Sequence, residues 1–297
     1  MRSPLDIVGQ TCVLPGRPAA ALGSFKDMAT PADKARTFLD LHHADTPLLM
    51  PNPWDAGAAR VLESIGFAAL ATTSSGFAAT LGRLDGEVTR DEAVAHGGAL
   101  SAAVDVPVSA DLENGFADDP AGVAETIRLA VGAGLCGGSV EDYSGSEIYD
   151  AALARERVVA AAEAAHGGDV HFVLTARAEN HIRGRNDLDD TIARLQSYQE
   201  SGADVLFAPG IWELADVRRV VSSVDRPVNV LAGPNTPPVA ELAAAGVKRI
   251  SVGGAFAYVA LNALVGAGRE LLEQGTYGYW ETAGPGMTMA RAVLKRL

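Results

Sequence analysis

The sequence has only two cysteines, Cys12 and Cys136, among its 297 residues. Two thiols cannot form a framework of disulfides, and they are too few for a zinc site built from thiolates. Cationic residues are also scarce, with 24 lysines and arginines against 37 aspartates and glutamates, which gives a net charge of −13. A surface this acidic argues against nucleic acid or an anionic membrane as a partner.

Long uninterrupted apolar runs are absent as well. Ser, Thr, Gly or a charged residue interrupts each run well short of the roughly 18 residues that a membrane span needs, so we expect no membrane segment. Residues 1–27 lack the compact apolar core of a secretory signal, and we interpret them as a disordered extension. These absences favour a cytoplasmic protein in which residues 28–297 form a single domain with a helical tail.

What the sequence does contain is a repeated alternation. From residue 47 onward, Ala-rich amphipathic stretches separate eight short runs of Val, Ile, Leu and Ala, at 47–52, 67–74, 106–113, 137–142, 171–177, 203–209, 226–232 and 248–254. Strands that alternate with helices imply parallel pairing, and eight such units favour closure into a (β/α)8 TIM barrel. The rival is an open doubly wound sheet, but no GxGxxG opens a helix after the first strand to support its dinucleotide-binding form.

Carboxylates gather where the central strands of this predicted barrel end, which is where barrel enzymes carry their chemistry. Asp111 and Glu113 end the third strand, Glu141 ends the fourth, and Asp85 lies in the loop after the second. Because Asp111 and Glu113 are two residues apart on a strand, we expect both to point to one spot. An isolated acid of this kind is more often a helix cap. Several acids on successive strands, without interleaved His or Cys, instead favour a Mg²⁺ or Mn²⁺ site.

Groups suited to anions follow the neighbouring strands. Arg177 ends the fifth strand and offers a planar guanidinium that matches a substrate carboxylate. The hydroxyls and backbone N–H groups of Thr73, Ser74 and Ser75 follow the second strand and suit a second oxyanion. Trp54 follows the first strand, and we assign it to substrate binding as well. We therefore expect a small ligand with a carboxylate and a second anionic oxygen.

Five ordered motifs between about residues 40 and 275 resemble the isocitrate lyase/phosphoenolpyruvate mutase superfamily: PNPWDAGAARVLESIGFAALATTSSG, LGRLDGEVTRDE, SADLENGFAD, GGSVED and TARAEN. The resemblance implies that Asp111 is the main Mg²⁺ ligand and that Asp85, Glu113 and Glu141 act mostly through water. It also implies that Arg177 and the segment after the second strand hold a 2-oxo acid or its enolate. Finally, it implies a dimer or tetramer whose barrels exchange their last helix.

Departures from the family pattern bear on the reaction. The KKCGH loop of the lyases is absent, and the loop EDYSGSEIYD after the fourth strand lacks the lysine of the mutase gate. The chain looks closest to compact members with lyase-like or oxaloacetate-decarboxylase-like activity. We expect a Mg²⁺-dependent enzyme that cleaves a C–C bond of a small 2-oxo or 2-hydroxy dicarboxylic acid through an enolate. Gating and proton delivery are assigned to Tyr143, Ser144 and Ser146 on the strand-four loop.

The sequence leaves two other functions open. One is C–P bond chemistry at the same metal site, as in a phosphonopyruvate hydrolase or a phosphonomutase. The other is a non-catalytic protein that binds 2-oxo acids. The RGR run at 183–185 is interpreted as a solvated loop, with phosphate binding as the less favoured alternative.

Overall fold

The computed structural model describes residues 30–294, so the extension expected at 1–27 lies outside the described residues. Eight parallel strands form one sheet in the order β1-β8-β7-β6-β5-β4-β3-β2. A hydrogen bond of 3.1 Å from the Ala71 N–H to the Pro51 carbonyl joins the two ends of this order. The fold is a (β/α)8 barrel, which confirms the prediction.

Each strand lies inside one of the eight predicted apolar runs and is shorter than that run. The strands are β1 (Leu48–Met50), β2 (Leu70–Ala71), β3 (Val108–Asp111), β4 (Gly137–Glu141), β5 (Val173–Arg177), β6 (Val205–Phe207), β7 (Val228–Leu231) and β8 (Arg249–Ser251). The helices are α1 (Pro31–His42), α2 (Ala56–Ser64), α3 (Ser74–Thr80), α4 (Arg90–Ala103), α5 (Pro120–Gly132), α6 (Ala151–His166), α7 (Leu188–Glu200), α8 (Leu214–Ser222), α9 (Val239–Ala244), α10 (Ala255–Arg269) and α11 (Trp280–Val293).

Helix α3 departs from the sequence expectation, because it begins at Ser74, inside the apolar run predicted at 67–74. Thr73 adopts an extended conformation and its hydroxyl accepts a hydrogen bond from the Gly76 N–H, which makes it the N-cap of the helix. Ser74 and Ser75 therefore lie in the first turn of a helix at the carboxyl end of β2. This fixes their hydroxyl groups at the mouth of the barrel.

Helix α1 covers the amino end of the barrel. A capping box between Thr30 and Asp33 begins it, and its Phe38 side chain is fully buried. Phe38 belongs to a cluster with Met50 and Val173, which come from the strands above it. A second, larger cluster fills the layer between the sheet and the outer helices. The polar mouth is thus at the opposite end of the barrel from α1.

Helix α10 is apolar and uncovered. Together with a π-helical turn at Glu270–Gln274 it forms a 20-residue helix with a mean hydropathy of 1.2, of which 6% is buried. By length and composition it is the one helix of residues 30–294 that qualifies as a membrane span. Gly266 and Arg269 interrupt its apolar sequence, as expected of every run, but its overall composition still passes the test. Core helices of other proteins pass the same test, and here the apolar face lies open.

A cluster at the amino end of the barrel links α6 to β5 and β6. Asp204 accepts hydrogen bonds from His166 Nε2 (2.9 Å), His171 Nε2 (3.0 Å) and the Leu174 N–H (2.8 Å). The two imidazole rings stack with their centroids 4.4 Å apart. Burial acts to raise the pKa of Asp204, but these hydrogen bonds outweigh it and hold the pKa of the carboxyl below its ordinary value.

Substitution of Asp204 by asparagine is expected to lower the free energy of unfolding by about 1–3 kcal/mol at pH 7, because a charged acceptor of three hydrogen bonds is lost. A lowered pKa stabilises the fold above the unfolded-state value of about 4, and that stabilisation disappears as the pH falls through the folded-state pKa. Urea unfolding between pH 7 and pH 3 measures both effects. Asp169→Asn, an exposed carboxylate of the same connection, is the control. An unchanged pH profile in Asp204→Asn would contradict the assignment.

Candidate active site

Two adjoining cavities open at the carboxyl end of the strands. The outer cavity has a volume of about 760 Å³ and the inner one about 210 Å³. Ser74, Asp85 and Arg177 line both of them, so the two form one continuous space. Glu113 and Glu141 face the outer cavity and Asp111 faces the inner one. All four predicted metal-binding carboxylates therefore border this space.

The convergence of Asp111 and Glu113 has a different cause from the one expected. Strand β3 ends at Asp111, and Glu113 has φ of 47°, in the left-handed region. Strand alternation thus stops before Glu113, and a turn brings its carboxylate back toward Asp111. Leu112 between them is fully buried and anchors this turn. A positive φ at a residue other than glycine costs on the order of 1–3 kcal/mol, a cost that is typical of functional sites.

Arg177 lies at the centre of the carboxylates and is paired with three of them. Its Nη1 lies 3.0 Å from Asp111 Oδ1, and its Nη2 lies 2.9 Å from Glu141 Oε2 and 2.8 Å from Glu179 Oε1. Nε donates a further hydrogen bond to Glu179. Most of its donors are thus already used within the protein. A substrate carboxylate reaches this guanidinium only if it displaces one of these partners.

Asp111 is held on both of its oxygen atoms. Oδ2 accepts a hydrogen bond of 2.9 Å from the Ser74 hydroxyl, and Oδ1 contacts Arg177 and the Ser139 hydroxyl. Ser74 therefore orients Asp111 from the first turn of α3. The Thr73 hydroxyl caps that helix and lies 3.3 Å from Ser75 Oγ.

Burial and mutual repulsion shift the protonation equilibria of the carboxylates in the site. Burial and the nearby charges of Asp111 and Asp85 raise the pKa of Glu113 to about 7. Burial likewise raises the pKa of Glu141, with a further contribution from Glu179, and this outweighs the attraction of Arg177. Carboxylates that repel one another in a half-buried, all-oxygen site suit a hard divalent ion such as Mg²⁺.

The carboxylates do not form a tight cage. Within residues 30–294, the one group of three or more His, Cys, Asp and Glu side chains whose ligand atoms lie within 4.8 Å of one another is His166, His171 and Asp204, at the other end of the barrel. Mg²⁺ commonly takes one or two carboxylates directly and keeps several waters. The donor set at the mouth fits such an ion, with the remaining acids bound to its waters.

The other predicted residues separate into two groups. Tyr143 and Ser144 line the outer cavity on the β4–α6 loop, where Ser144 and Ser146 hydroxyls lie 3.0 Å apart. Trp54 lines neither cavity, and its backbone carbonyl lies 3.0 Å from His96 Nε2. The structure therefore brings the gate residues to the site but leaves Trp54 outside its walls.

Two residues of the site were not assigned from the sequence. Glu179 is fully buried and pairs with Arg177. Arg183 lies 3.2 Å from Glu179 and stacks on the ring of Tyr143 at 3.8 Å. Its side chain stays exposed on a turn, in keeping with the interpretation of the RGR run as a solvated loop. The motif TARAEN contains Glu179, and its position two residues after Arg177 was an available signal.

Comparison with known proteins places the chain among lyases and mutases. Residues 38–272 match a family model described as phosphoenolpyruvate phosphomutase. A crystal structure from Burkholderia cenocepacia J2315, described as a lyase/mutase, is 48% identical, covers 88% of this chain and 96% of its own, and has a TM-score of 0.85. A second structure from that organism, described as a phosphonomutase, is 36% identical, covers 83% and 100%, and has a TM-score of 0.77. The 2,3-dimethylmalate lyase of Eubacterium barkeri is 30% identical over 231 residues, 73% of this chain and 79% of the relative.

Proposed function

The chain belongs to the phosphoenolpyruvate phosphomutase family, within the isocitrate lyase/phosphoenolpyruvate mutase superfamily, and on this premise we propose that it is a Mg²⁺-dependent lyase or decarboxylase. Its substrate is a small 2-oxo or 2-hydroxy dicarboxylic acid, and the reaction cleaves a C–C bond through an enolate. The observation that carries the proposal is the ring of repelling carboxylates around Arg177 at the mouth of the barrel.

In this proposal Asp111 holds the ion directly, and Asp85, Glu113 and Glu141 hold its waters. A bound Mg²⁺ supplies positive charge that stabilises the negative charge on the keto oxygen as the bond breaks. Arg177 balances the charge of the carboxylates and keeps them in place. The proposed gate residues Tyr143 and Ser144 lie across the outer cavity, where they meet a substrate that enters. The chemistry requires no covalent nucleophile.

A side-by-side assay tests the reaction. The purified chain is incubated with oxaloacetate, 2-methylisocitrate, 2,3-dimethylmalate or phosphonopyruvate, each with Mg²⁺ and with EDTA, and pyruvate and the second product are measured. We expect turnover of at least one of the first three acids, abolished by EDTA and restored by Mg²⁺ or Mn²⁺. Turnover that EDTA leaves unchanged would overturn the metal dependence.

C–P bond chemistry is the second candidate, and the likeness to the Burkholderia phosphonomutase structure favours it. Release of phosphate from phosphonopyruvate, or its isomerisation to phosphoenolpyruvate, without turnover of the other three acids, would assign this activity instead. Mg²⁺-dependent binding of oxalate without turnover of any substrate would make the chain a binder of 2-oxo acids. The three outcomes are mutually exclusive.

Helix α10 supports a further part of the proposal, an oligomer in which subunits exchange this helix. Its apolar side chains are uncovered, with exposed fractions of 68% for Val259, 68% for Leu264 and 86% for Leu272. An exposed apolar face of this length typically marks a protein–protein interface. A second copy of the chain offers the matching apolar surface by symmetry.

The double substitution Val259→Glu and Leu264→Glu is expected to convert the oligomer to monomers, because two buried charges without partners destabilise an apolar interface by several kcal/mol. Light scattering coupled to gel filtration measures the mass. Val239→Glu, at a 45% exposed apolar position on α9, is the control and should keep the oligomer. A wild-type chain that elutes as a monomer would contradict the exchange.

A further inference from the structure

The inside of the barrel below the carboxylates is polar. Its inner cavity of about 210 Å³ reaches from the mouth down to side chains on β7 and β8, including Asn229, Arg249 and Ser251. Barrel interiors are ordinarily filled by layers of branched apolar side chains. Here the central strands present hydroxyl, amide and guanidinium groups to a cavity instead. Such a lining is expected where a polar ligand enters.

Arg249 is the charged group of this lining, and it is 3% exposed. Its Nε donates to Asn229 Oδ1 at 2.9 Å, and its Nη1 donates to Thr175 Oγ1 at 3.0 Å. Nη1 also lies 3.4 Å from His42 Nε2. Within the part of the chain that the structure describes, Nη2 makes no hydrogen bond and no carboxylate pairs with this guanidinium. Two N–H donors of a buried cation are therefore available to the cavity.

Other buried arginines of the described residues have their donors taken up by the protein: two pair with carboxylates, and Arg157 donates to three backbone carbonyls. Arg177 pairs with three carboxylates, and Arg194 pairs with Asp142 and Asp190. A buried charge is stable only when it is paired or fully hydrogen-bonded. Burial, with a further contribution from the charge of Arg177, lowers the pKa of Arg249 to about 9. The guanidinium therefore remains charged at pH 7.

His42 on α1, the titratable neighbour of Arg249, does not balance the charge of the guanidinium. Burial and the charge of Arg249 lower the pKa of His42 to about 3, so this imidazole is neutral at physiological pH. The Asn229 amide also donates to the Ser251 hydroxyl at 3.0 Å, which fixes its oxygen on Arg249. The part of the inner cavity around Asn229, Arg249 and Ser251, called the recess below, thus contains a positioned cation among neutral groups. Its position below Arg177 places it next to the proposed reaction site.

We propose that Arg249, positioned by Asn229 and Ser251, binds a carboxylate of the substrate within the inner cavity. This inference rests on the proposed function and adds to it, since it makes Arg249 the residue that selects a dicarboxylic acid over a monocarboxylic one. Most donors of Arg177 are already used by the protein's own carboxylates, so the two arginines have separate roles. One organises the metal-binding acids, and the other receives the second acid group of the substrate.

Paired ligands of equal length test this assignment. In the presence of Mg²⁺, dissociation constants are measured by calorimetry for 2-oxoglutarate against 2-oxopentanoate and for oxaloacetate against 2-oxobutyrate, with KM used for any acid that is turned over. The wild-type chain should bind the dicarboxylic member of a pair more tightly. Arg249→Gln should weaken that member about 10- to 100-fold and leave the monocarboxylic member within twofold. Lys248→Gln removes a neighbouring charge outside the cavity and should change neither.

Asn229→Asp is a second variant that does not depend on the folding of Arg249→Gln. It places a carboxylate where the amide oxygen already accepts from Arg249, so the cation gains an internal counter-ion. We expect the melting temperature to be kept or raised and the preference for dicarboxylic acids to be lost. An unchanged preference in both variants, or equal weakening of both members of a pair, would overturn the proposal.

Inorganic anions and simple diacids separate this proposal from the proposed function. Chloride or sulfate that stabilises the wild type but not Arg249→Gln, without any preference for dicarboxylic acids, would show a free anion in the recess and overturn the substrate assignment. A second outcome is that malonate or succinate raises the melting temperature of the wild type but not of Arg249→Gln, while the chain binds no 2-oxo acid. This outcome would support carboxylate binding by Arg249 and reject the proposed function.

Discussion

Replacing Asp111 with alanine is expected to lower turnover on the order of 10³-fold or more and to abolish Mg²⁺-dependent binding of oxalate. The size follows from the charge stabilisation that a metal ion gives to a developing oxyanion, since each 1.4 kcal/mol corresponds to about tenfold in rate. Asp111 is the carboxylate that Ser74 and Arg177 both hold in place. The loss should therefore be larger here than at Asp85, which is exposed on a loop.

The fold should survive this substitution. Arg177 keeps its contacts to Glu141 and Glu179, so the guanidinium is not left unpaired. Calorimetry with Mg²⁺ and oxalate measures the binding, and circular dichroism confirms the fold. Asp119→Asn is the matched control, because Asp119 caps α5 on the same loop and asparagine caps a helix equally well. Wild-type Mg²⁺ affinity in Asp111→Ala would contradict the proposed metal site.

The barrel was predictable from the sequence because its signal is repeated eight times. Each strand is a short apolar run, and each intervening helix is long enough to show its own periodicity. Helix α3 gave no such signal, since seven residues with two serines and a glycine resemble a turn. Helix α11 lies in the helical tail expected from the sequence, but it contains Pro285 between two glycines, a pattern that ordinarily ends a helix, so its bounds were not predictable.

The candidate site was predictable to the extent that its residues stand at strand ends. The carboxylates and Arg177 do so, and the structure brings them to one cavity. Arg249 and Asn229 lie within β8 and β7 instead, where strand ends carry no charge. The available signal was Asn229 between two valines inside β7, since that alternation points the side chain into the barrel. Arg249 begins β8 directly after Lys248 and gave no such signal. Which charges are compensated depends on contacts between distant elements, and no local pattern encodes them.

Arg157 is the clearest case of a residue whose importance no local pattern reveals. It lies on α6 and is 1% exposed, so the sequence alone gives it the appearance of one more charge on an amphipathic helix. Its guanidinium donates to the backbone carbonyls of Asn114, Ala117 and Asp118 in the loop after β3. It also lies over the Tyr149 ring, 4.1 Å from the centroid. The arginine therefore holds the loop that carries Glu113.

That loop needs such support because its conformation is strained. Glu113 and Phe116 have φ of 47° and 55°, and a residue other than glycine in this region costs on the order of 1–3 kcal/mol. Tyr149 adds a second link, as its hydroxyl donates to Asp118 and accepts from Asn114. The strain is offset by contacts to α6 and to the segment before it. Removal of Arg157 should let the turn relax and move the Glu113 carboxylate away from Asp111.

Arg157→Ala is accordingly expected to lower the free energy of unfolding by about 3–5 kcal/mol, because three buried carbonyls lose their donor and a large side chain leaves a cavity. Urea unfolding measures this loss. Arg155→Ala, two residues away on the exposed face of α6, should stay within about 0.5 kcal/mol of the wild type. Arg157→Lys keeps one cationic donor, and its unfolding free energy should lie between those of Arg157→Ala and the wild type.

A positioning role predicts more than lost stability. At a temperature where Arg157→Ala remains folded, its affinity for Mg²⁺ should fall about tenfold or more, since displacement of Glu113 removes one of the groups proposed to hold the ion's waters. Arg157→Lys should recover part of that affinity. Asp204→Asn lowers stability through contacts at the opposite end of the barrel and should leave Mg²⁺ affinity unchanged. Equal Mg²⁺ affinity in Arg157→Ala and Asp204→Asn would reduce Arg157 to a stabilising residue, with no part in shaping the site.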